Sequence, residues 1–186
     1  MRLARFLALA GVLGFAVCYV AAAEDDDKAI KDAVLKLAAA LDKNDKDSAK
    51  KLVDELKKND LENVMDVFKP AKGGKGGFDV FKEGIENKIR NISKKAPSDV
   101  KTNAESYEKM AQIIAAVAEV ATVKCPVEAP KGEKDPKKWA EWIKEMKEGA
   151  KALGEAAKAK DAKKVSDAAK KLNSACNECH GVFRDN

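Results

Sequence analysis

Residues 135–184 read DPKKWAEWIKEMKEGAKALGEAAKAKDAKKVSDAAKKLNSACNECHGVFR, and this stretch decides the fold. Trp139, Trp142, Ile143, Met146, Ala150, Leu153 and Ala157 recur at the three-and-four spacing of one helix face. Asp135 stands as an N-cap with Pro136 at the first helical position, where its missing N–H costs nothing. Lys160-Asp161 supplies a tight turn. After it Val165, Ala168, Ala169, Leu172, Cys176, Cys179 and Phe183 form a second stripe. Two long amphipathic helices joined by so short a turn pack antiparallel, and each still needs further helices to cover its apolar face.

The rest of the chain supplies them. Ile30, Val34, Leu37 and Leu41 predict a helix over 27–42, interrupted at Asn44-Asp45-Lys46-Asp47. Ala49, Leu52, Val53 and Leu56 begin another stripe that Leu61, Val64, Met65 and Phe68 extend towards Pro70, as two helices or one kinked one. Between Lys69 and Phe78 lie Gly73, Gly74, Gly76 and Gly77 with interspersed lysines. No strand precedes them and no Lys-Ser/Thr pair follows, so the stretch reads as a flexible connector rather than a phosphate-binding loop. Ile85, Ile89 and Ile92 predict a short helix before Pro97; the sequon Asn91-Ile92-Ser93 is read as chance. A third long helix runs over 98–124, carrying Tyr107, Met110, Ile114, Val117 and Ala121. No segment alternates with period two.

The expected fold is therefore all-α, an antiparallel four-helix bundle with an extra N-terminal helical segment. Alanine fills so many apolar positions that the core reads as thin, which predicts a bulky apolar group to fill it. Leu37–Leu56 also echoes Leu153–Leu172: Leu37, Leu41, Asp45, Ala49, Val53 and Leu56 fall at the same offset as Leu153, Ala157, Asp161, Val165, Ala169 and Leu172.

Arg2 and Arg5, the apolar run from Phe6 to Val20 and the small residues Ala21-Ala22-Ala23 form a secretory leader over 1–23. An uncleaved anchor is the alternative, although the run is short for a membrane span. Cys18 follows Val17, where a lipoprotein signal wants a small residue, so it is discarded with the leader. The remaining 24–186 is one domain's worth of chain. Removing Arg2 and Arg5 leaves 34 basic against 31 acidic residues, a net charge of +3. Lysines alternate with acids and few aromatics interleave them, so nucleic-acid binding is excluded as a reading.

Cys176-Asn177-Glu178-Cys179-His180 has the C-x-x-C-H spacing by which two thiols add to the vinyl groups of a haem while the adjacent imidazole binds iron. On a helix, positions i, i+3 and i+4 share a face, so the three groups point one way. His180 is the chain's sole histidine, which rules out a bis-histidine iron. Cys176, Cys179 and His180 are thus the cofactor-binding residues for one covalent haem c, and His180 the metal ligand. A redox dithiol would want the pair at a helix N-terminus in a βαβ setting. A zinc site would use Cys125, Cys176, Cys179 and His180 and requires Cys125 to fold back on the motif. Otherwise Cys125 is a free thiol or an intermolecular bridge. Export and haem attachment both point to the space outside a bacterial cytoplasm.

From Trp139 onward the chain resembles the class II cytochromes c, the cytochrome c′ group. The shared pattern is an aromatic residue early in the penultimate helix, an Ala/Leu stripe, a Lys-Asp turn, and a last helix closing on Cys176-x-x-Cys179-His180-x-x-Phe183-Arg184. The resemblance is carried best by 98–186 and fades upstream. It implies an up-down-up-down bundle, thioethers at Cys176 and Cys179, His180 as proximal ligand and Arg184 beside the haem. It also implies a one-electron carrier with redox partner proteins or, alternatively, a five-coordinate protein binding nitric oxide or carbon monoxide; neither is an enzyme. No membrane association is expected after leader removal, and a homodimer stays open. The sixth iron position separates the two, and Met65, Met110 and Met146 are the methionines to consider. Met110 lies 14 residues before Lys124, about 21 Å down the axis, and Met146 lies 8 past Lys138, about 12 Å. Met65 reaches the haem only if its helix runs parallel to the last one, as the echo would allow, and otherwise the sixth position has no ligand from the chain; Trp139, Trp142 and Val120 suit the pocket wall.

Overall fold

The computed structural model describes residues 11–71 and 77–184, with side chains from Asp26 onward. The expected leader, 1–23, lies outside the residues whose side chains are described. Among the described residues seven helices follow one another: α1 (Gly11–Asp42), α2 (Lys46–Leu56), α3 (Leu61–Met65), α4 (Ile85–Lys94), α5 (Ala104–Thr122), α6 (Pro136–Lys158) and α7 (Ala162–Phe183), with a 3₁₀ turn at Asp66–Phe68. Among the described residues there is no strand, only an isolated bridge between Lys131 and Lys134. None of their helices is long and apolar enough to cross a membrane.

The bundle is an all-α arrangement in which α6 packs between α5 and α7, α4 closes against α7, and α1 covers the other side of α5. Because α5 lies between α1 and α6, it is apolar nearly all round: Tyr107, Met110, Ile113, Ile114, Ala116, Val117, Ala118, Val120 and Ala121 are buried. That helix starts at Ala104 rather than at 98. The six preceding residues form turns instead, in which Asp99 O accepts from Asn103 N and Asp99 Oδ2 from Asn103 Nδ2. The apolar run past Lys46 takes the two-helix alternative: α2 ends at Leu56, and the five residues of α3 and the 3₁₀ turn follow.

Alanine-rich faces produce close helix approach rather than a loose core. A Cβ on Gly149 would lie 2.8 Å from Leu172 Cγ, so glycine is what lets α6 settle onto α7. Ser166, buried on α7, donates to Ile92 O at 2.7 Å and satisfies a carbonyl in the last turn of α4. The turns inside the two echoing stretches are built alike. Asn44 and Lys160 adopt left-handed φ of 56° and 55°, the next residue donates back to Ala40 O and Ala156 O, and Asp45 and Asp161 cap the following helix. The connector's residues 72–76 lie outside those described. Its exit is tied back to its entrance, since a Cβ on Gly77 would collide with Val67 O and Lys69 O.

Candidate haem-attachment site

Four elements meet around the end of α7. The Trp139 indole donates to Ala121 O at 2.9 Å, pinning the start of α6 to the end of α5. Phe183 sits edge-on to Trp139 and Trp142, with ring centroids 5.0 and 6.0 Å away. Trp142 Nε1 donates to Glu178 Oε2 at 3.0 Å, and Ser174 Oγ donates to the other carboxylate oxygen at 2.7 Å. Glu178 is one of the two residues between the motif cysteines, so these bonds fix how that turn of α7 faces α6. Nothing in the sequence pattern marks Glu178 as tethered; only the docking of α6 on α7 brings the indole to it.

Cys176 and Cys179 are free thiols, half-buried and buried. Burial pushes the Cys176 thiol up to about 11, with the Glu86 charge adding to it, and the Cys179 thiol up to about 12, with Cys176 and Cys125 adding. Thiols of this kind are protonated at neutral pH, the reverse of what a dithiol oxidoreductase requires. His180 itself is exposed, and partial burial of its ring, then the Arg184 charge, lower the imidazole below its ordinary value against an opposing pull from Glu86. A neutral imidazole is the form that binds iron.

The donor set fits a covalent haem. Two thiols and an imidazole stand on successive turns of one helix, beside a wall made by buried Trp139, Phe183 and Val120 and half-buried Trp142. Among the described residues, no three His, Cys, Asp or Glu side chains gather in a way that could hold a metal ion. The zinc reading through Cys125, Cys176, Cys179 and His180 therefore loses its support. Cys125 is half-buried, and its Sγ donates to Val127 O at 3.1 Å. Met110 and Met146 are core packing, 0% and 5% exposed.

An all-helical bundle whose last helix closes on a C-x-x-C-H turn against an aromatic wall defines a c-type haem protein of the bundle class. The family described as Cytochrome C' matches residues 69–184, well over half the chain, and the protein belongs to that family. The match begins at the connector, upstream of the 98–186 over which the sequence resemblance was clearest, so α4 is part of the family's segment while α1 to α3 precede it. No curated protein and no solved structure matches the chain.

Proposed function

We propose that this chain is a periplasmic one-electron carrier in which Cys176 and Cys179 would hold a single covalent haem and His180 and Met65 would bind its iron. The carrying observation is the course of residues 59–70. At one end, Lys124, just past α5, donates to the carbonyls of Lys57 and Asn59. At the other, the Phe68–Pro70 backbone lies against Gly84, where a Cβ would come within 2.9 Å of three of its atoms. Lys124 adjoins Cys125, which acts on Cys179; Gly84 leads into Glu86, which acts on Cys176 and His180. Met65 lies midway along that segment, and unlike Met110 and Met146 it is only half-buried.

When bound, the haem supplies a one-electron iron couple. The chain's own residues do the rest. Cys176 and Cys179 would hold the group by thioethers, His180 would present a neutral nitrogen, and Trp139, Phe183 and Val120 would keep water from its face. The Met65 thioether, bound to the iron, would raise the potential and suit electron transfer. The other reading rests on α4, which lies beside α7 inside the family's segment and carries no methionine. If Met65 does not ligate, the iron is open to nitric oxide or carbon monoxide. The optical spectrum of oxidised protein, made alongside a haem-attachment system, tests this. A low-spin spectrum with the methionine–iron charge-transfer band is expected; a high-spin spectrum that shifts on carbon monoxide overturns the carrier reading in favour of the binder.

A further inference from the structure

Thirteen residues, 123–135, separate α5 from α6, where three suffice both between α1 and α2 and between α6 and α7. Connections of that length with no helix or strand of their own are uncommon, and those that are ordered tend to be binding segments. This one is held along its course. Lys124 Nζ donates to Lys57 O and Asn59 O, and Cys125 Sγ to Val127 O. Lys131 and Lys134 exchange both backbone bonds, at 2.8 and 3.1 Å, and Asp135 caps α6. Pro126 and Pro130 fix two further φ angles. A backbone ordered in advance loses little freedom on binding.

The loop turns apolar groups to solvent. Val123, 54% exposed, is the one exposed large hydrophobic side chain among the described residues, and Pro126, Ala129 and Pro130 follow it in sequence, also exposed. Lysines flank them. Residues 122–138 hold five lysines against three acids, so two of the three net positive charges of 24–186 fall on this short stretch. Lys131, Lys137 and Lys138 are exposed and, among the described residues, pair with no carboxylate. Direct contacts place the loop at the attachment end of the bundle. Trp139, just past it, donates to Ala121 O, just before it, and meets Phe183 edge-on, three residues beyond His180.

We infer that residues 122–138 are the surface on which a soluble, acidic one-electron protein docks, with Val123 and the prolines as the apolar contact and the lysines drawing in the partner's carboxylates. This rests on the carrier reading above. Electron-transfer contacts are small and short-lived, and charges at their rim act on the rate of encounter.

The test uses full-length haem-loaded protein with a flavodoxin, an acidic one-electron protein, as the probe. Fully reduced flavodoxin gives one electron to the oxidised protein, its flavin hydroquinone becoming the semiquinone as iron(III) becomes iron(II), and stopped-flow absorbance follows the second-order rate. The native rate should fall as salt rises. Lys137→Glu with Lys138→Glu should slow it roughly tenfold at low salt and bring it back near native at high salt. Acids in the first turn of α6 suit its dipole, so this reversal keeps the fold. Val123→Ser should slow the reaction at low and high salt alike. Lys158→Glu with Lys163→Glu, the same reversal at the opposite end of the bundle, should stay near the native rate. Amide NMR shifts of the oxidised native protein titrated with oxidised flavodoxin should concentrate in 122–138. A native rate independent of salt, loop variants that match the opposite-end control, or shifts centred elsewhere overturn the docking surface and leave the carrier reading standing. A native protein that is high-spin and binds carbon monoxide overturns the carrier reading, and the surface with it.

Discussion

Replacing Tyr107 by Phe removes one oxygen from a polar knot that holds the approach to α4 against α5. Tyr107 is fully buried, and its hydroxyl donates to Asp99 Oδ1 at 2.7 Å. Asp99 also accepts from Asn103 Nδ2 at 2.9 Å and lies 3.7 Å from Lys88 Nζ. That ammonium sits 4.3 Å above the Phe81 ring and 5.2 Å above Tyr107. A hydrogen bond to a charged acceptor contributes about 1.5–3 kcal/mol. The low end applies, because Asp99 keeps 37% of its side-chain surface exposed and retains two other partners. Tyr107→Phe should therefore cost about 1.5 kcal/mol in urea unfolding at neutral pH.

Two pH effects follow with opposite senses. Burial alone would raise the Asp99 carboxyl, but the Asn103 and Tyr107 hydrogen bonds and the Lys88 charge bring it below its ordinary value. Its contribution is thus full above the unfolded carboxylate range and lost as pH falls through the folded value, so the Phe deficit should shrink towards about pH 3. Burial first, then the Asp99 hydrogen bond, raise the Tyr107 phenol far above its ordinary value. The folded state then favours the neutral phenol: that stability is complete below about pH 10 and declines above it in native protein, a decline the Phe variant lacks. Urea melts at acid, neutral and alkaline pH measure all three. A deficit that is the same at pH 7 and about pH 3 would refute the Tyr107–Asp99 bond as its source.

Gly149→Ala should destabilise by about 1–3 kcal/mol through overpacking on Leu172. Combined with Leu172→Ala, it should cost less than the two single changes added, as a double-mutant cycle by thermal unfolding will show. Cys176→Ala with Cys179→Ala should come out of a haem-attachment host at apo mass, while the native chain gains the mass of one haem; equal masses would remove the attachment reading. Trp142→Phe and Glu178→Gln should each perturb the near-UV signal of the aromatic cluster, with a coupling energy of about 1 kcal/mol between them. Strict additivity would mean that the indole does not orient the motif turn.

The helices, their faces and the motif were legible in the sequence because each depends on local periodicity. The stripe from Trp139 to Ala157, the Asp135-Pro136 start and the Lys160-Asp161 turn are properties of neighbouring residues, and C-x-x-C-H places three ligands on one helical face whatever surrounds it. Boundaries were lost where a side chain took backbone groups away from a helix, as Asp99 and Asn103 do before α5. What the sequence could not give is every relation across the bundle: that α5 is enclosed between α1 and α6, that Trp142 reaches Glu178 36 residues on, and that Lys124 reaches back 67 and 65 residues to the end of α2. A lysine in a lysine-rich chain has no periodic signature. Its role comes from which carbonyls the packed helices bring within reach of its ammonium, and only tertiary structure decides that.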